Sequence, residues 1–139
     1  MFNVYAREVS DVEPIRVLPG AEGLAMGMAV KFTAGALAKA AATEGYGAKV
    51  VLHGDCYDDA YIVMGPAVPG PESGLLYPAI RVLPTTIFSA PASGAVAQAG
   101  GLVTLAEDGL GVTNTAESGV FTVLHTQNKA GTPVLGYFA

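Results

Sequence analysis

The sequence is poor in most of what a catalytic or nucleic-acid-binding domain uses. It has a single cysteine, Cys56, so no intrachain disulfide can staple the fold. Tryptophan is absent, and the six Tyr and five Phe are scattered without interleaved basic residues, which leaves no base-stacking platform. Charged residues make up 14% of the chain, well under the roughly 25% of an average soluble domain. Seven Lys plus Arg stand against twelve Asp plus Glu, a net charge of −5, and no basic patch is available to grip phosphates. No apolar stretch reaches the ~18 residues of a membrane-spanning helix; the best run, 24–30, stops at Lys31. Residues 1–13 lack both the positive and the apolar region of a signal peptide, so the chain is expected to be made in the cytoplasm and to stay soluble or assemble there. Neither a membrane nor a nucleic acid is an expected partner.

What is present points to β structure. The 139 residues amount to one ordinary domain or two very small ones. The chain is 51% hydrophobic, too apolar for disorder, and its 18 Gly and 9 Pro punctuate it at short intervals, as in all-β proteins. It also resembles itself. Ile-Arg-Val-Leu-Pro occurs at 15–19 and again at 80–84, an offset of 65. Gly27, Val30 and Leu37 match Gly100, Val103 and Leu110 at an offset of 73, and Val-Leu-His at 51–53 recurs at 123–125. Three collinear matches argue for a duplication. The expected organisation is an N-terminal arm at 1–10, a first β repeat at 11–65, a Pro/Gly-rich extended linker at 66–76 and a second β repeat at 77–139. Each half is under ~70 residues and has no disulfide, so the halves should pack on each other or on neighbouring subunits.

The repeat bears on an ambiguous segment. Residues 34–44 are alanine-rich and by propensity helical, but their counterpart at 107–117 carries Gly, Val and Thr and the hairpin signal Asp108-Gly109. A shared fold makes Ala34-Gly35 the matching turn between strands at 30–33 and 36–40; the alternative is a short helix in the first half only. Further strands are expected at 15–18 and 80–83, each stopped by proline, and at 50–53, 120–126 and 134–138, with a turn at 128–131. The fold class is therefore all-β, a sandwich or small barrel built from two related halves.

Candidate chemistry is sparse. No Walker loop, GxGxxG or nucleophile elbow is present. The one polar cluster holds His53, Asp55, Cys56, Asp58 and Asp59, residue types that can ligate zinc. The bland reading is a strand end followed by a solvated acidic turn, and the matching His125 has no acidic neighbours. Cys56 and His53 have no third group to orient them for nucleophilic catalysis. Adjacent acids such as Glu107-Asp108 and Asp58-Asp59 point in different directions and make poor acid/base pairs. No enzymatic activity, metal or cofactor is expected.

Residues 86–138 resemble the small β-rich head decoration, or capsid cement, proteins of tailed bacteriophages. The likeness is carried by Gly101-Leu102-Val103-Thr104-Leu105, Asp108-Gly109-Leu110, Val112-Thr113, the Ser118-Gly119-Val120 turn and the terminal strand at 134–138. It implies a non-enzymatic virion protein, often a homotrimer, that binds the major capsid protein on the head exterior and stabilises the shell. Between 77 and 139 only Arg81, Glu107, Asp108, Glu117 and Lys129 are charged, so apolar strands of this half are expected to be buried between copies. Phe2, Val4, Tyr5 and Arg7 of the N-terminal segment are the candidate capsid or subunit contacts, as an arm that adds a strand to a neighbour; a frayed terminus is the alternative. The rival function is a receptor- or glycan-binding fibre or tail module, with Tyr57, Asp58, Asp59 and Tyr61 as its only candidate site.

Overall fold

The computed structural model describes residues 1–7, 15–40, 60–72, 74–83, 85–97, 99–116 and 119–138. Among these there is no helix. Eleven strands follow in order: β1 (Asn3–Ala6), β2 (Arg16–Gly20), β3 (Ala29–Thr33), β4 (Ala36–Lys39), β5 (Ala60–Val63), β6 (Val68–Pro69), β7 (Leu75–Arg81), β8 (Ile87–Pro91), β9 (Leu102–Val103), β10 (Phe121–His125) and β11 (Pro133–Phe138). They form two sheets, and one closes on itself as a five-stranded barrel. The all-β expectation holds.

The alanine-rich segment is a hairpin. Ala34 and Gly35 both have positive φ, 52° and 82°, the two-residue turn whose twist matches that of the flanking strands. Thr33 lies opposite Ala36 and Val30 opposite Lys39. Helix propensity yields here because strands on both sides offer ladder partners and buried positions. Residues 41–44 and the expected strand at 50–53 lie outside the described residues.

Closure depends on β2, which runs antiparallel to β7 from Arg16 opposite Ala79 to Gly20 opposite Leu75 and meets β4 in parallel at Gly20 and Leu37. The circuit is β2-β4-β3-β5-β7 and back to β2, with β6 continuing the β5 side along β7. Alternation separates two cores. Val30, Leu37, Tyr61, Val63, Tyr77 and Ala79 fill the barrel, while Ala29, Ala60, Ile62, Ile80 and Val82 face the second sheet. The buried Tyr77 ring keeps its polar end satisfied by donating from Oη to the Ala21 carbonyl at 2.7 Å.

Three expectations need correction. Pro19 does not stop β2, which continues through Gly20. The Ala21 amide donates to Leu37, so position 19, two residues back, faces the side where β2 has no ladder partner before Gly20, and a missing N–H there breaks nothing. The strand expected at 80–83 starts earlier and is β7; Pro78 fits inside it because the neighbouring chain passes from β5 to β6 at 64–67. The proposed linker at 66–76 accordingly contains β6 and the first two residues of β7. The strands bearing the two Ile-Arg-Val-Leu-Pro copies are neighbours in this one barrel.

The second sheet has the order β1-β8-β11-β10-β9, antiparallel throughout. Its inner face carries Phe88, Phe121 and Phe138, whose ring centroids lie 5.2–6.4 Å from that of Phe2, with Phe138 5.5 Å from Phe88 and 5.1 Å from Phe121. These edge-on and tilted rings form the centre of the core between the sheets. The hairpin expected about Asp108-Gly109 is present and pairs 104–115: Leu105 bridges Val112, the Thr104 amide donates to Thr115 at 3.0 Å, and Gly109 turns the chain at φ 72°. The turn at 128–131 places Asn128 and Gly131 at positive φ, as its composition indicates.

Candidate interaction surface

The N-terminal segment is the first place to look for a contact, and the fold has already used most of it. Phe2 is only 2% exposed, its ring held among Phe88, Phe121 and Phe138, and its amide donates to the Gly27 carbonyl at 2.9 Å. Gly27 has a φ of 81°, and Met1 lies against it so closely that a Cβ there would run into the methionine side chain. Val4 packs partly buried against the same core, and β1 pairs with β8. The segment does add a strand, but to its own sheet. Phe2 is therefore corrected from an interface residue to a core residue, and residues 1–7 are not a detachable arm. Tyr5 is 64% exposed and Arg7 is also exposed, so these two remain at the surface.

The other sequence candidates separate in the same way. Tyr61 is buried in the barrel, so the aromatic pair of the glycan reading cannot present both rings. Tyr57 and the cluster of His53, Asp55, Cys56, Asp58 and Asp59 lie outside the described residues. Among the described residues, no three or more His, Cys, Asp or Glu gather as metal ligands. No helix among them is long and apolar enough to cross a membrane. A shallow concavity of about 600 Å³ is lined by Lys39, Ser93, Glu107, Asp108 and Thr113. One of its two acids is structural: Asp108 accepts the Leu110 amide at 2.9 Å and so shapes its own turn.

What the fold does expose is apolar sheet surface. On the barrel, Leu18 points inward, so its neighbours Val17 and Pro19 point outward, and the register sets them opposite Pro78 and Leu76 of β7. Val68 of β6 lies opposite Leu76 on the other side. Ile15 precedes this stripe. Ile15, Val17 and Val68 are 58%, 57% and 45% exposed. A groove of about 410 Å³ continues the stripe, lined by Pro19, Pro71, Leu75 and Leu76 with Glu72 beside them. Neither β2 nor β6 contributes to the core between the sheets, so the stripe lies outside that core. Contiguous exposed apolar surface of this kind marks interaction sites. The sequence signal for it was a strand apolar on successive residues, which also describes a strand buried on both faces.

No protein-family model matches the chain, and no curated protein matches it either.

Proposed function

We propose that this chain is a non-enzymatic structural protein of a virus particle, adding to the outside of an assembled capsid and stabilising it as the head decoration proteins its second half resembles do. The single observation that supports this reading most is the barrel stripe of Ile15, Val17, Pro19, Val68, Leu76 and Pro78, an exposed surface without a charged side chain among its members. In this reading the stripe is the face laid on the major capsid protein, and copies of the chain associate with one another as a homo-oligomer.

The physical mechanism is linkage. A protein that binds only the intact shell stabilises it by RT ln(1 + [L]/Kd), about 2.7 kcal/mol per site at a hundredfold excess over Kd. Summed over many sites, a modest affinity resists internal pressure without any catalysis. The test mixes purified chain with undecorated heads. Saturable binding with symmetric density is expected, and decorated heads should retain their DNA to a higher temperature than bare ones. Val17→Lys and Val68→Lys should weaken binding at least ~10-fold, since each buries a charge in an apolar contact, and leave the melting of the free chain nearly unchanged. Equal thermal resistance of bare and decorated heads refutes the cement role.

A further inference from the structure

Three of the chain's four methionines meet at one small cavity. Met1, Met26 and Met64 line it together with Asn3 and Val63, and they come from three segments far apart in the sequence. Backbone hydrogen bonds beside the methionines hold those segments together. The Phe2 amide donates to the Gly27 carbonyl at 2.9 Å, and the Gly27 amide donates to the Val63 carbonyl at 2.7 Å. The Met64 amide in turn donates to the Pro78 carbonyl of β7 at 2.8 Å. Gly27 leaves the room for this approach, since a Cβ on it would stand 3.1 Å from Met1 Sδ and closer still to Met1 Cγ. Met64 packs partly buried against the core between the sheets, but Met1 and Met26 are 42% and 50% exposed. Two of the three thioethers are therefore not consumed as core filler. Met28, the fourth methionine, is buried in the barrel core.

We propose that this cavity binds a soft monovalent cation of the copper(I) class, held by the thioethers of Met1, Met26 and Met64. Size limits the ligand first. The cavity holds about 40 Å³, far below the ~300 Å³ at which small-molecule pockets begin but above the ~10–15 Å³ that one water needs. A single ion fits it and an organic ligand does not. Donor chemistry then selects the ion. No His, Cys, Asp or Glu lines the cavity among the described residues, which leaves zinc and the hard cations without their usual ligands. Thioether sulfur is a soft donor that favours copper(I). It needs no deprotonation, and its unbranched, freely rotating stem lets each side chain turn toward a shared ion. The net charge of −5 favours the approach of a cation. Binding of such an ion is a property of the single chain and does not rest on the capsid reading.

The test titrates silver(I), an air-stable ion of the same charge and softness, and copper(I) under argon into the full chain. The chain carries Cys56→Ser, which removes the competing thiol. Saturation at one equivalent is expected with the chain at tens of micromolar, whereas zinc(II) and magnesium(II) should leave it unchanged. The methionine methyl resonances should shift for Met1, Met26 and Met64 and stay in place for Met28. Met26→Leu and, separately, Met64→Leu conserve volume and remove the sulfur. Each should weaken silver(I) binding at least ~10-fold while the metal-free chain melts at nearly the parental temperature. Silver(I) should also raise the melting temperature of the Cys56→Ser chain, and raise it less in either leucine variant. A Cys56→Ser chain that takes up neither ion overturns the proposal. So does binding that both leucine variants leave intact, that shifts Met28 alone, or that an equal concentration of zinc(II) displaces.

Discussion

The amide of Ala29 donates to the carbonyl oxygen of Gly109 at 2.8 Å, tying the tip of the 104–115 hairpin to barrel strand β3. Leu110, the next residue, packs partly buried against the barrel core. The barrel end is thus stopped by a hairpin from the far side of the sequence. The two sheets share one core and this second attachment.

Gly109 is the position at which that attachment is most sensitive. Its φ is 72°, and a Cβ would lie 3.1 Å from Met28 Cγ and 3.3 Å from the Ala29 carbonyl. Gly109→Ala should cost about 1–2 kcal/mol from the left-handed backbone alone, with a further penalty from crowding. Calorimetry should show a fall in Tm of several degrees. A variant melting with the parent would mean the hairpin tip is not docked on β3.

Removing Phe2 should behave as a core truncation. Phe2→Ala is expected to destabilise the fold by about 3–5 kcal/mol, the range for a buried aromatic. Deleting residues 1–9 should do at least as much harm, because β1 leaves with the ring. Denaturant titration measures both. Full retention of stability in either variant would place the ring outside the core.

Gly136 makes room for its neighbours in β10. A side chain on it would run into the Thr122 carbonyl and lie within 2.9 Å of the Phe121 ring. Backbone cannot give way cheaply inside a sheet, so Gly136→Ala should lose more stability than Gly109→Ala, on the order of 3 kcal/mol or more. Soluble yield and thermal melting are the readouts, with Leu135→Ala, half-exposed on the other face, as the mild comparison.

The sequence by itself determined the class of the fold and its local turns. Glycine and proline spacing excluded long helices. The turn at Asp108-Gly109 was legible from glycine's freedom to take positive φ, 72° at Gly109, and the turn at Ala34-Gly35 from its match to that one, with Gly35 at 82°; the positive φ of Ala34 itself was not legible. Comparing 34–44 with 107–117 overrode the helix propensity of the alanines for the same reason: the turn chemistry is local. The scarcity of charge after residue 77 also showed that apolar strands there would need cover.

Only the tertiary structure decided which segments share a sheet. β2 and β7 close the barrel across the expected boundary between halves, and whether Pro19 or Pro78 can sit in a strand depends on which of its sides has a ladder partner. Phe2 was legible as an aromatic but not as core, because its burial rests on Phe88, Phe121 and Phe138, which follow it by many residues. Alternation alone cannot tell the inward Leu18 from the outward Val17, since both are apolar. Closure of the barrel gives Leu18 an interior to fill and leaves Val17 facing out.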